Sequence, residues 1–322
     1  MAAEILIVKL SSLGDLFHAL PAVHALRSGL NASRVDWVTQ PEYVELVNCF
    51  KDVDDIIPFP RKGFARQFPA FRRKLRTRKY DYVVDMQGLF KSGLVCAAAD
   101  ASRKVGPMAP REGARFFYDD YPQHGTSYAH AVDRLWEVVT HLDVAFDDKK
   151  FPVAFPEVSI EGAGPRIGLA PCSRWGAKNW PIDRFATLAE KLREKLSCSI
   201  YVVGGPGDRA IGDQITAANY NLCGAHTIPE TGEALRQMDV VVSNDSGPMH
   251  IASAVGTPVV ALFGPTDPLL TGPYGAMHRV LRADDAIAQG TGHGEYKSDD
   301  DRWMRGISVD EVLAEVCGLL EA

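Results

Sequence analysis

Residues 240–275 read VVVSNDSGPMHIASAVGTPVVALFGPTDPLLTGPYG. An apolar strand over 240–243 runs into the polar elbow Asn244-Asp245-Ser246-Gly247-Pro248. A short helix carrying His250 follows, then a second apolar strand, Val259–Phe263, and a Gly-Pro-Thr-Asp-Pro loop. A strand that turns through small polar residues into a helix presents free backbone N–H groups and the positive end of the helix dipole to an anion. The stretch therefore reads as a phosphate cradle built without a Walker-type Gly-Lys-Ser/Thr. The bland alternative is a tight turn in any parallel α/β protein, and His250 with the second polar loop at Thr266-Asp267 weighs against it.

Outward from this unit the chain alternates short apolar strands with amphipathic helices, the pattern of parallel α/β sheets. In the first half strands are expected over 5–9, 35–39, 55–58, 82–85 and 104–106, with helices over 15–27, 41–48, 69–79, 91–99 and 129–142. A Pro/Gly-rich linker over 156–165 separates a second half. There strands are expected over 166–170 and 199–203, helices over 182–196, 208–219 and 231–237, and a terminal helix over 309–321. The expected domains are 1–158, 166–306 and a C-terminal helix over 307–322 packing near the domain interface. Two successive α/β halves imply a cleft between them.

The 322 residues have the apolar and charged fractions of an ordinary soluble protein, and no apolar run reaches the length of a membrane span. The first ten residues lack an export signal, so a cytoplasmic location is expected. Six scattered cysteines show no Cys-x-x-Cys pair and no zinc spacing, which fits reduced core residues. The net charge is −6, yet residues 61–79 carry nine Lys/Arg and no Asp/Glu. One dense basic patch on an acidic chain suggests a local anionic partner and not a nucleic-acid-coating surface. Phe64, Phe68, Phe71 and Leu75 fall there at helical spacing, but Pro69 argues for a loop leading into a helix. This segment is either a solvated face or a surface for phosphates or an anionic membrane.

Three further places carry chemistry. In Lys9-Leu10-Ser11-Ser12-Leu13-Gly14-Asp15, Asp15 stands where a helix starts at the carboxyl edge of the first strand, as a cap or as a general base. The turn over 171–181 puts Lys178 on the same sheet edge as Asp245 and His250, where it could neutralise a diphosphate or be a solvated surface lysine. Gly205-Pro206-Gly207-Asp208-Arg209-Ala210 meets the G-x-G-x-x-G/A pattern, but no acidic residue follows at the spacing that ribose recognition needs. Asp208 itself is the better candidate to accept ribose hydroxyls.

Taken together, Lys9–Asp15 with Leu16-Phe17-His18-Ala19-Leu20-Pro21-Ala22-Val23, and Asp85-Met86-Gln87-Gly88-Leu89-Phe90-Lys91-Ser92, resemble signatures of the ADP-heptose:lipopolysaccharide heptosyltransferases, closest to the first-heptose group. Lys178-Asn179-Trp180-Pro181, the run 243–250 and Phe263-Gly264-Pro265-Thr266-Asp267-Pro268 are similar to motifs of glycosyltransferase family 9 as a whole. The resemblance implies an α/β GT-B fold, two Rossmann-like domains with parallel sheets facing a central cleft, and no cofactor or bound metal. It implies an inverting transfer from ADP-L-glycero-D-manno-heptose to an anionic glycolipid, with peripheral contact at the cytoplasmic face of the inner membrane. By the same resemblance Asp15 and Lys178 are catalytic. Ser173, Arg174, Asp208, Asp245, Ser246, Gly247 and His250 bind the donor. Ser12, Arg61, Lys62, Arg66, Arg72, Arg73, Gln87 and Arg111 bind the acceptor.

The chain departs from the family at Cys172-Ser173, where a Thr pair is common, and over 290–304, which is acidic here. The competing expectations are an epimerase or hydrolase of the same architecture, a heptosyltransferase with another acceptor, and a dinucleotide-dependent oxidoreductase or noncatalytic nucleotide-binding module.

Overall fold

In the computed structural model, which describes residues 2–125, 128–215, 217–283 and 301–321, the chain divides into two compact units, Met1–Ala154 and Phe155–Ala322. Each unit is a parallel sheet with its own apolar core.

The first unit has strands β1 (Glu4–Val8), β2 (Arg34–Thr39), β3 (Asp55–Pro58), β4 (Tyr80–Asp85) and β5 (Ala101–Val105), in the order β3-β2-β1-β4-β5. All pairings are parallel, and Val8 stands opposite both Val38 and Asp85. Strands buried on both faces need continuous apolar side chains, which Ile5, Leu6, Ile7 and Val8 supply. Helices α1 (Leu13–Gly29), α2 (Val44–Val47), α3 (Phe64–Leu75), α4 (Phe90–Ala98) and α5 (Ala131–His141) connect or cover them.

The second unit has β6 (Arg166–Ala170), β7 (Ser199–Val202), β8 (Tyr220–Asn221), β9 (Val240–Asn244), β10 (Val259–Phe263) and β11 (Arg279–Arg282), in the order β11-β10-β9-β6-β7-β8. Helices α6 (Ile182–Lys195), α7 (Arg209–Gly212), α8 (Ile228–Arg236), α9 (Gly247–Ala254) and α10 (Pro268–Thr271) lie between strands. In both sheets the strand order reverses between two neighbours, β1 and β4 in the first, β6 and β9 in the second. At such a reversal the connections leave in opposite directions and open a crevice at the carboxyl ends of the strands.

Four expectations are corrected. Helix α3 begins at Phe64, five residues before the expected start, and carries Pro69 inside it. The missing N–H and the ring clash are outweighed by burial: Phe71 and Leu75 are buried, and Phe64 and Phe68 pack on the same cluster. Gly63 starts this helix at φ +64°, a left-handed conformation that glycine adopts without strain. The helix expected over 208–219 is only the single turn α7 after a 3-10 turn Pro206–Asp208, and the chain then enters β8. Strands β8 and β11 were not expected, being short and partly exposed edges. The helix expected over 41–48 is a 3-10 turn, Pro41–Tyr43, followed by the single turn α2.

The linker over 156–165 is tied to the second unit. Gln237 Nε2 donates to Val158 O at 2.7 Å, Ser199 Oγ to Ala163 O at 2.8 Å, and the Tyr201 hydroxyl to Glu161 O. The C-terminal helix Val309–Leu320 packs on α6, and the turn Asp301–Met304 packs on the turn Gly176–Lys178. Trp180 Nε1 donates to Ile307 O at 3.0 Å, and Arg184 Nη1 to Arg305 O at 2.6 Å. The acidic segment 290–301 lies outside the described residues apart from the backbone of its last residue. Among the described residues no helix is long and apolar enough to cross a membrane.

Candidate active site

In the first unit the crevice lies between the loops that follow β1 and β4. Ser12 is the N-cap of α1, and Asp15 is its third residue. Asp15 Oδ2 accepts from both Ser12 N and Ser12 Oγ at 2.8 Å, so the capping role is real. Oδ1 has no hydrogen-bond partner among the described residues. The side chain is half-buried. Burial alone would raise its pKa, but the Lys9 ammonium, His18 and the two Ser12 hydrogen bonds outweigh it and hold the carboxyl at about 2. The group is a carboxylate at any physiological pH.

Lys9 is buried, and its ammonium donates to Met86 O at 2.8 Å. Burial lowers its pKa, opposed by the charges of Asp15 and Asp85. Gln87, expected to touch the acceptor, turns its side-chain carbonyl to the β1 loop, where Leu10 N and Ser11 N donate to it at 3.1 and 3.2 Å. Arg111 is exposed and its backbone N donates to Gly88 O at 2.8 Å, which brings it to the same edge. Arg61, Lys62 and Arg66 are exposed around the start of α3, Arg61 at 3.1 Å from Glu42. Arg72 and Arg73 are in the last turn of α3, about 9 Å further along the helix axis from Arg66, so the structure does not gather these cations at one point.

In the second unit the crevice lies between the β6 and β9 loops, since Ala170 stands opposite Ser243. Ser246 caps α9, Gly247 begins it and Pro248 follows in the first turn, where a missing N–H costs the helix nothing. His250 is half-buried in that first turn. Lys178 Nζ donates to Asp245 Oδ2 at 2.6 Å, and Thr266 Oγ1 donates to the same oxygen at 2.7 Å. The Asp245 carboxylate is 8 % exposed. It therefore clamps the β6, β9 and β10 loops and holds the lysine; an anion of this kind would not itself attract phosphate.

Ser173 spends its hydroxyl on Trp175 O at 2.8 Å, and its N–H on Asn179 Oδ1 at 2.8 Å. Arg174 is exposed over the Trp175 ring. Asp208 Oδ2 accepts from Gly205 N at 2.7 Å. Burial and this nearby carboxylate push the Cys172 thiol up to about 12. Cys172 thus stays protonated and is not a nucleophile. Among the described residues no group of three or more His, Cys, Asp or Glu is placed to hold a metal ion.

Three residues escaped the sequence reading. Asp85, fully buried, accepts from Gln87 N, Gly88 N and the Tyr118 hydroxyl; burial raises its pKa. Asn244 joins the β9 loop to the β6 loop, donating to Pro171 O at 2.7 Å and accepting from Trp180 N at 3.1 Å. Lys9 is the third. Asp85 and Asn244 are the last residues of β4 and β9, and Lys9 directly follows β1, all three buried. A polar group there is expensive unless partnered, and that is the signal that could have found them.

A model of glycosyltransferase family 9 (heptosyltransferase) matches residues 68–293. The chain is 27% identical over 304 residues to lipopolysaccharide heptosyltransferase 1 of Pseudomonas aeruginosa, covering 87% of this chain and 84% of the relative. It is 24% identical over 298 residues to the lipopolysaccharide core heptosyltransferase OpsX of Haemophilus influenzae, covering 88% and 85%. Among solved structures, the glycosyl transferase family 9 protein of Veillonella parvula superposes with a TM-score of 0.84 at 22% identity, covering 99% and 97% of the two chains. The E. coli heptosyltransferase WaaC with ADP gives 0.82 at 24%, covering 98% and 99%. These superpositions give the fold class as GT-B, with two Rossmann-like units.

Proposed function

The chain belongs to glycosyltransferase family 9, the heptosyltransferases, and from that premise we propose that it moves heptose from ADP-L-glycero-D-manno-heptose to a hydroxyl of the Kdo-lipid A inner core of lipopolysaccharide. The donor is supported by the relatives, one of which is solved with ADP and again with ADP-2-deoxy-2-fluoro heptose. The acceptor is supported by their names and by the cations around the start of α3 and at Arg111.

The observation that carries the reading is Asp15: an ionised carboxylate at the strand-order reversal, one oxygen tied to Ser12 and the other not. In the proposed step Asp15 takes the acceptor proton as that oxygen bonds to the anomeric carbon, on the face opposite ADP. The bond to the diphosphate breaks, and its electron pair leaves on the phosphate oxygen, inverting the centre. Charge of this kind is met by Lys178, by His250 and by the N–H groups at Ser246–Gly247. Donors aimed at developing charge contribute roughly 3–4 kcal/mol each, which lets the reaction proceed without a metal. Asp245 serves by holding Lys178, and Asp208 by accepting the adenosine ribose hydroxyls. The exposed basic face of α3 supports peripheral contact with the cytoplasmic face of the inner membrane.

The test is incubation of purified protein with ADP-heptose and Kdo-lipid A, read by product mass. A single added heptose that depends on both substrates is expected. Conversion of ADP-heptose without acceptor would instead favour an epimerase or hydrolase.

A further inference from the structure

The geometry points to Gln87 as a positioning residue for Asp15: its side-chain carbonyl fixes the turn that carries the carboxylate, so that it acts on the reaction through Asp15. This rests on the reading of Asp15 as the base.

The β1 strand ends at Val8, and Lys9 N still finds Val38 O at 3.2 Å. The next two N–H groups, of Leu10 and Ser11, lie beyond the sheet ladder and need another acceptor. Gln87 Oε1 takes both. Because both partners are donors, the amide orientation is fixed, with oxygen toward the turn and nitrogen away from it. Its Nε2 has no hydrogen-bond partner among the described residues.

Gln87 is itself held. Its N–H donates to Asp85 Oδ1 at 2.7 Å, as does that of Gly88 at 3.0 Å, while the Tyr118 hydroxyl donates to Asp85 Oδ2 at 2.6 Å. Gly88 sits at φ +70°, and a Cβ there would meet Pro107 Cγ at 2.8 Å, so the β4 loop accepts only glycine at this bend. The residue after Ser11 is Ser12, which gives Asp15 Oδ2 both of its hydrogen bonds. The buried Asp85 thus connects to Gln87, then to Leu10 and Ser11, and through Ser12 to Asp15. A support on the neighbouring strand fixes the base against displacements that a cap on its own helix cannot resist. Lys9 adds a second tie between the same loops through Met86 O at 2.8 Å.

The test compares Gln87→Leu and Gln87→Glu, each alone and combined with Asp15→Asn, in the full chain. A base displaced by about 1 Å loses on the order of 10²-fold in rate. Gln87→Leu is expected to lower kcat by about that factor while the acceptor KM and ADP affinity hold, the pattern of an interaction felt in the transition state. Gln87→Glu keeps an acceptor oxygen for Leu10 and Ser11 and is expected to recover most of the loss. In the Asp15→Asn background Gln87→Leu is expected to cost nothing further.

A raised acceptor KM at unchanged kcat would overturn the proposal in favour of direct acceptor contact. A full additional loss in the Asp15→Asn background would overturn it while leaving the base assignment intact. Wild-type turnover in Asp15→Asn alone would remove the base assignment itself. Should Gln87→Leu fail to fold, Gln87→Glu with amide exchange at Leu10 and Ser11 decides: protection as in wild type is expected, and fast exchange beside unaltered kcat overturns the proposal.

Discussion

Asp15 holds its charge at the expense of basicity. A carboxylate at about 2 lies far from the ideal for a base working near neutrality. In the proposed reaction it would suit a late proton transfer, in which the acceptor hydroxyl turns acidic only as its oxygen bonds to the sugar. Asp15→Asn is therefore expected to lose about 10²–10⁴-fold in turnover, with ADP affinity in calorimetry unchanged. The folded pKa is depressed, so the stability Asp15 contributes is complete above its ordinary 3.8 and is lost as pH falls toward 2. Lys178 and Asp245 differ in kind, being a nearly buried ion pair at 2.6 Å. Removing one partner of such a pair costs about 3–5 kcal/mol, because the other charge is left uncompensated. Lys178→Met is expected to lower both melting temperature and turnover. Adding Asp245→Asn is expected to restore the melting temperature alone; restored turnover would show that the lysine serves only the fold.

At the scale of elements, α3 carries a proline in its sixth position. Relief of the lost hydrogen bond and ring clash, about 3 kcal/mol, exceeds the unfolded-state stiffness given up, about 0.4–1 kcal/mol. Pro69→Ala is expected to stabilise the protein by about 2 kcal/mol, seen in urea unfolding. The end of α9 is pinned by His278, whose Nδ1 accepts from Val259 N at 3.2 Å and whose Nε2 lies 3.2 Å from Ser253 Oγ. Burial lowers its pKa below the usual 6.5. The unfolded chain then binds the extra proton, so stability falls as pH drops below about 6.5. His278→Gln is expected to flatten that part of the melting-temperature profile.

The same scale explains what was legible. The strands Val240–Asn244 and Val259–Phe263 and the helix Ile182–Lys195 announce themselves by continuous apolar runs or amphipathic spacing. Asp15 and Lys178 stood out by their place in turns at the carboxyl ends of strands, although a cap or a solvated lysine would account for either. The tie from Gln87 to Leu10 and Ser11 was not legible, since a hydrogen bond from one strand's loop to another's has no spacing in the sequence. Helix α3 was cut short because local proline chemistry was allowed to outweigh four side chains facing one core.

Over the molecule as a whole, each unit has its own core, and charge is spread unevenly between 61–79 and the rest. Each Lys or Arg near an anionic bilayer contributes about 1 kcal/mol. Reversing Arg66, Arg72 and Arg73 to Glu is expected to weaken binding to phosphatidylglycerol vesicles by more than 10²-fold, and added salt to do the same. Equal binding to phosphatidylcholine vesicles would sink the membrane reading. The last twenty residues raise a different issue. Because Trp180 and Arg184 anchor on the carbonyls of Ile307 and Arg305, the turn holding Lys178 is propped by chain translated long after it. A premature stop codon near position 300 would leave every proposed catalytic side chain encoded, yet such an allele should behave as a null.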